Sequence, residues 1–115
     1  MNIVIEHRGD VDVLRLPVRL MLANAPALRA AMLAHVESGA RRIVLDLSAV
    51  EFADSSGLSA VLACVTAIRR AGGDIVLAAP SPRVRALIEL TRLDEVLDVR
   101  GTVHEAIGHL SERAA

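Results

Sequence analysis

The sequence predicts an α/β fold. A mostly parallel β-sheet carries an antiparallel hairpin at its N-terminal edge and packs against about four helices, in the order β-β-α-β-α-β-α-β-α. Three observations predict it. Short β-branched or apolar runs alternate with longer segments whose apolar residues recur every three or four positions. The run Ile43–Leu47 is nearly all apolar, as a central parallel strand covered on both faces should be. Gly, Pro, Ser and Asn stand at the junctions between runs. The length of 115 residues fits one domain spanning 1–115.

The elements follow in order. Asn2–His7 and Val11–Leu16 flank Arg8-Gly9-Asp10 and read as a hairpin. Pro17 closes the second strand at a sheet edge. Asn24 is placed to cap a helix that begins at Ala25-Pro26, carries the stripe Leu28, Met32, Val36 and stops at Gly39. After the strand Ile43–Leu47 comes a loop, Ser48–Ala53. A second helix, Ser55–Arg70, has Leu58, Val61, Leu62, Val65 and Ile68 on one side and ends at Gly72-Gly73. Asp74–Ala79 is a further strand. Ser81-Pro82 opens a third helix with Val84, Leu87 and Ile88 on its face. Val96–Val99 is a last short strand, and Thr102 to Glu105 has the spacing of a capping box for a helix reaching about Ser111.

Composition excludes several function classes. There are 13 basic and 14 acidic residues, a net charge of −1, so the strongly basic footprint of a nucleic-acid binder is missing. All the basic residues are Arg, spread along the chain, and Phe52 is the one aromatic, too few for a base-stacking platform. Cys64 cannot form a disulfide within the chain, and this fits a reducing cytoplasm. The N-terminus lacks a basic start followed by an apolar stretch, and Gly57–Ile68 is too short to span a bilayer, so no direct membrane insertion is expected. No P-loop or dinucleotide fingerprint occurs, and His7, His35, His104 and His109 lack metal-ligand spacing. Neither an enzyme nor a cofactor or metal is expected.

Asp54-Ser55-Ser56-Gly57-Leu58 is the unusual stretch. It lies between a central strand and the helix after it, where open α/β sheets hold their sites. A helix N-terminus presents unpaired N–H groups and a partial positive charge. A serine phosphorylated there gains about −1.5 to −2 charges and three acceptor oxygens. The same five residues also make an ordinary helix cap.

The wider run Ile43–Leu58, IVLDLSAVEFADSSGL, resembles the signature of the STAS domain, named for sulphate transporters and anti-sigma factor antagonists. Leu14–Leu16 resembles the family's second strand and Ala25–Arg29 its first helix, so the likeness covers essentially the whole chain. The resemblance implies a bacterial anti-sigma factor antagonist. Its partner, both serine kinase and anti-sigma factor, is bound when the chain is unphosphorylated and released when the second serine of the motif, here Ser56, is phosphorylated. A PP2C-type phosphatase resets the switch. By this likeness Asp54 caps the helix and orients the serine hydroxyl, while Ser55 supports the turn. Gly57 leaves room for the nucleotide end of the kinase. Leu58 is an apolar anchor in the core or the interface, and Asp46 holds the loop.

One stretch departs from the family pattern. Where many members have Gly-x-(Leu or Ile)-Asp after the second strand, this chain has Val18-Arg19-Leu20-Met21. Met21 replaces a carboxylate expected near Ser56, and the segment Val18–Leu22 is expected to be a partly exposed apolar patch. The departure keeps a second role open, as the STAS subunit of a lipid-transporting ABC system that contacts its ATPase.

Overall fold

Residues 3–114 are described by the structure, a computed structural model. The hairpin forms from β1 (Val4–Arg8) and β2 (Val11–Arg15), paired antiparallel from Val4 opposite Arg15 to Arg8 opposite Val11. Gly9 takes φ +66° in the turn, a conformation open to glycine at little cost. Asn2, expected in the first strand, lies outside the described residues.

A pair of short strands then appears that the sequence does not predict. β3 (Arg19–Leu20) and β5 (Phe52–Ala53) pair parallel as a separate two-stranded sheet. Between them lie α1 (Ala25–Glu37) and β4 (Arg42–Asp46). Two residues are too few to show a strand period, so Ser48–Ala53 reads as loop in the sequence although its end joins a ladder. After α2 (Ser55–Arg70) come β6 (Asp74–Ala78) and α3 (Pro82–Leu90). A 3-10 turn (Leu93–Glu95), β7 (Val99–Arg100) and α4 (Val103–Ala114) complete the chain.

The main sheet has the order β1-β2-β4-β6-β7, parallel everywhere except between β1 and β2. Side chains alternate across it, and the two faces bury different sets. Leu14, Leu16, Ile43, Leu45, Ile75 and Leu77 meet α1, α2 and α3 in the larger core. Val11, Val13, Val44, Val76 and Ala78 meet Ala106 and Leu110 of α4 in the smaller one. Large residues therefore face three helices and small ones face a single helix. Each fully buried Leu or Ile contributes about 1.5–3 kcal/mol of transfer free energy. The stripe Leu28, Met32 and Val36 of α1 is buried as its spacing predicts.

Three local expectations are corrected. Pro17 follows β2, but β2 is internal, between β1 and β4, and not an edge strand. Asn24 does not cap α1 with its side chain. Its Oδ1 accepts from the Met21 amide at 3.0 Å and its Nδ2 donates to the Arg19 carbonyl at 2.7 Å, so it folds the turn before the helix instead. The last strand starts at Val99 rather than Val96, because Arg92 at φ +58° turns the chain into the 3-10 segment first. The capping box of α4 is half formed: Thr102 Oγ1 accepts from the Glu105 amide at 3.0 Å. No described helix is long and apolar enough to cross a membrane.

Candidate functional site

The site assembles at the carboxyl end of β4, where β3 and β5 bring two distant segments side by side. The Glu51 and Phe52 amides donate to the Val18 carbonyl at 2.9 and 3.1 Å, and the Asp54 amide donates to the Leu20 carbonyl at 3.0 Å. These bonds lay the segment 18–22 alongside the start of α2. Nothing in either segment announces this, since a short ladder between residues 19–20 and 52–53 is a tertiary event.

Asp54 is the N-cap of α2. Its Oδ1 accepts from the Gly57 amide at 2.9 Å, the usual role of a capping carboxylate. Its Oδ2 accepts from the Leu22 amide at 3.0 Å, across 32 residues of sequence. The Gly57 and then the Leu22 amide hold its carboxyl below the ordinary carboxylate range. Both oxygens are thus committed to backbone amides, and the carboxylate does not orient a serine hydroxyl as the sequence suggested.

Ser55 is exposed and Ser56 half-buried. Neither side chain has a hydrogen-bond partner among the described residues, so Ser55 does not support the turn; Asp54 does. Ser56 faces a groove between α1 and α2, with Ala25, Pro26, Arg29 and Leu33 on the α1 side and Ser59 and Ala60 on its own. Leu22, 69% exposed, stands at the rim. It also borders a second groove with Val18, Met21, Ala49 and Asp54. The stretch Val18–Leu22 is therefore split: Val18 and Leu22 are exposed, Met21 is half-buried and Leu20 is buried.

Gly57 does not leave space for a partner. A Cβ there would lie 1.9 Å from the Leu20 carbonyl oxygen and 2.2 Å from its carbon. The glycine is the reason that α2 can sit directly on β3. Leu58 is 5% exposed, which places it in the interior and not at an interface.

Asp46 is not brought to Ser56. It shares the sheet face of Val44, on the α4 side, whereas α2 packs on the opposite face. Its Oδ1 accepts from the Ser48 amide at 2.9 Å, at the start of the loop, and Arg15 Nε approaches Oδ2 at 3.5 Å.

Two other features leave no signal in the sequence. Two guanidinium groups approach the Phe52 ring, Arg19 at 5.0 Å and Arg83 at 6.0 Å from its centre, in the distance range of cation–π contacts. Arg29 lines the same groove as Ser56. The sequence shows its place on α1 but not which neighbour it faces.

Comparison with known proteins gives this arrangement a family. The Bordetella bronchiseptica protein BtrV, named as an anti-sigma factor antagonist, is 39% identical over 69 residues, which span 60% of this chain and 60% of BtrV. The crystal structure of an anti-sigma factor antagonist from Mycobacterium paratuberculosis superimposes with a TM-score of 0.87 at 30% identity, covering 96% of this chain and 93% of that one. The Bacillus cell fate determinant SpoIIAA in its phosphorylated form has a TM-score of 0.72 at 25% identity, covering 94% and 98%. Residues 2–106, which hold both sheets, the first three helices and the Asp54–Leu58 turn, match the STAS domain family, and the chain belongs to that family.

Proposed function

We propose that this chain is an anti-sigma factor antagonist that works as a phosphorylation-controlled binding switch. In the unphosphorylated state it binds a partner that is both serine kinase and anti-sigma factor. Transfer of the γ-phosphoryl group of the kinase's ATP forms the Ser56 Oγ–P bond, breaks the bond to ADP and releases the hydroxyl proton. The charged product leaves the partner. Hydrolysis by a PP2C-type phosphatase returns the serine and inorganic phosphate. The chemistry belongs to the partners; this chain is substrate and ligand, and not an enzyme.

One observation carries the reading. Ser56, in the first turn of α2, has no partner among the described residues and opens onto an apolar groove beside exposed Leu22. A dianion placed there turns an apolar contact surface into one that must bury charge, which is costly when unpaired. The relatives that are named anti-sigma factor antagonists, and SpoIIAA solved in a phosphorylated form, also support it.

The test is affinity capture from the source cells with Ser56→Ala and Ser56→Asp baits. The Ala bait should hold a serine kinase that the Asp bait holds at least about tenfold more weakly, the factor that corresponds to 1.4 kcal/mol. Equal capture by both baits would sink the switch. Met21, half-buried where a carboxylate is expected, favours the second role, an ABC transporter subunit. That role predicts capture of a transporter ATPase regardless of the residue at position 56.

A further inference from the structure

We infer that Arg29 is the internal counter-ion of the modified state: once Ser56 carries a phosphoryl group, the Arg29 guanidinium on α1 pairs with it across the α1–α2 groove. The inference rests on Ser56 as the phosphoacceptor and adds the residue that receives the phosphate.

The groove supplies the argument. Ser56 and Arg29 line it from opposite helices, and Arg29 is its one charged side chain among the described residues. The other groups facing Ser56 across the gap are apolar, Ala25, Pro26 and Leu33 among them. A dianion in such surroundings needs a cation, and arginine presents a planar fork that matches phosphate oxygens in pairs.

Arg29 is also available. Other arginines of this chain are engaged: Arg8 with Glu6, Arg15 with Asp46, Arg42 with Asp10 and Arg100 with Asp98. Arg29 has no ion pair or hydrogen bond among the described residues. It is exposed, so it can swing towards a new charge without leaving another one unpaired.

Asp54, two residues before Ser56, acts in the opposite sense. Its carboxylate is held ionised by the Gly57 and Leu22 amides and disfavours a second negative charge nearby. The partial positive charge at the start of α2 offsets some of that. Arg29 is the full positive charge on the groove wall. In this arrangement phosphorylation does two things at once. It charges the rim of the groove, and it draws Arg29 across the opening.

The phosphate's own titration tests the pairing. Phosphoserine is installed at position 56 of the full chain during translation, and the 31P shift is followed from pH 4 to 8 in the unsubstituted phosphoprotein and in its Arg29→Gln variant. An adjacent cation lowers the second phosphate pKa, normally about 6. The unsubstituted phosphoprotein should therefore titrate about half a pH unit or more below Arg29→Gln, with Arg29→Lys between them. Arg83→Gln, on α3, should leave the value unchanged. Identical titration with and without the Arg29→Gln substitution overturns the inference. If Arg29→Gln does not fold, the Nε–H resonance of Arg29 in the unsubstituted chain decides. It should shift on phosphorylation while that of Arg85 does not, and no shift overturns the pairing. Because no kinase is used, this failure is separate from failure of the switch, which the Ser56 baits report.

Discussion

The carboxylate of Asp54 accepts the Leu22 amide at 3.0 Å and so ties the first turn of α2 to the turn before α1. One residue both caps a helix and positions the exposed leucine beside Ser56. Replacing it should loosen both. In Asp54→Ala, amide exchange at Leu22 and Gly57 should accelerate together, and the melting temperature at pH 7 should fall. The carboxyl pKa is depressed in the folded state, so this contribution is complete above the ordinary carboxylate value of about 3.9. It is lost as pH falls through the depressed value. The gap in stability between the unsubstituted chain and Asp54→Ala should therefore be constant from about pH 5 to 7 and close at lower pH. A gap that persists undiminished to about pH 2 would show that the carboxylate charge is not involved.

Gly57→Ala should be costly out of proportion to one methyl group. The new Cβ would meet backbone, the Leu20 carbonyl, and not the movable end of a side chain. Overpacking of this kind costs about 1–3 kcal/mol. The urea midpoint should drop accordingly, while Ser59→Ala, exposed on the same helix, should stay within about 0.5 kcal/mol of the unsubstituted chain. Equal midpoints for the two variants would refute the close packing of α2 on β3.

Leu22→Ala should separate binding from folding. The side chain is 69% exposed, so stability should change by no more than about 0.5 kcal/mol. Capture of the kinase partner should nonetheless weaken, because Leu22 lines both the groove that holds Ser56 and the neighbouring one that borders Asp54. Titration of the purified partner against both proteins measures this, and unchanged affinity would remove Leu22 from the interface.

Cys64 should be inert until the chain unfolds. Its thiol lies in the larger core between the sheet and α2, and burial pushes its pKa up to about 11. At mildly alkaline pH a thiol-specific reagent should react with native protein far more slowly than with protein in denaturant. Comparable rates would mean that α2 opens readily from the sheet.

Much of the architecture was legible along the chain. The alternation of apolar runs with helical periods placed β1, β2, β4, β6 and all four helices, because burial on one or two faces imposes a repeat that a single segment already displays. The start of α3 at Ser81-Pro82 was legible too, since a cap such as Ser81 acts within a few residues. The Asp54–Leu58 motif was legible as a family likeness. Its internal division of labour was not.

What each motif residue does depends on what lies across space from it. Asp54 commits its second oxygen to Leu22, Gly57 makes way for Leu20, and Asp46 points to the face opposite Ser56. Those partners lie on other segments, brought in by a ladder between β3 and β5 too short to leave a period. By itself the sequence determined the order of elements and the family, because periodicity and motifs are local in the chain. Only the tertiary structure decided that Ser56 shares a groove with Arg29 and Leu22, because contacts between distant segments arise from packing and carry no pattern within either segment.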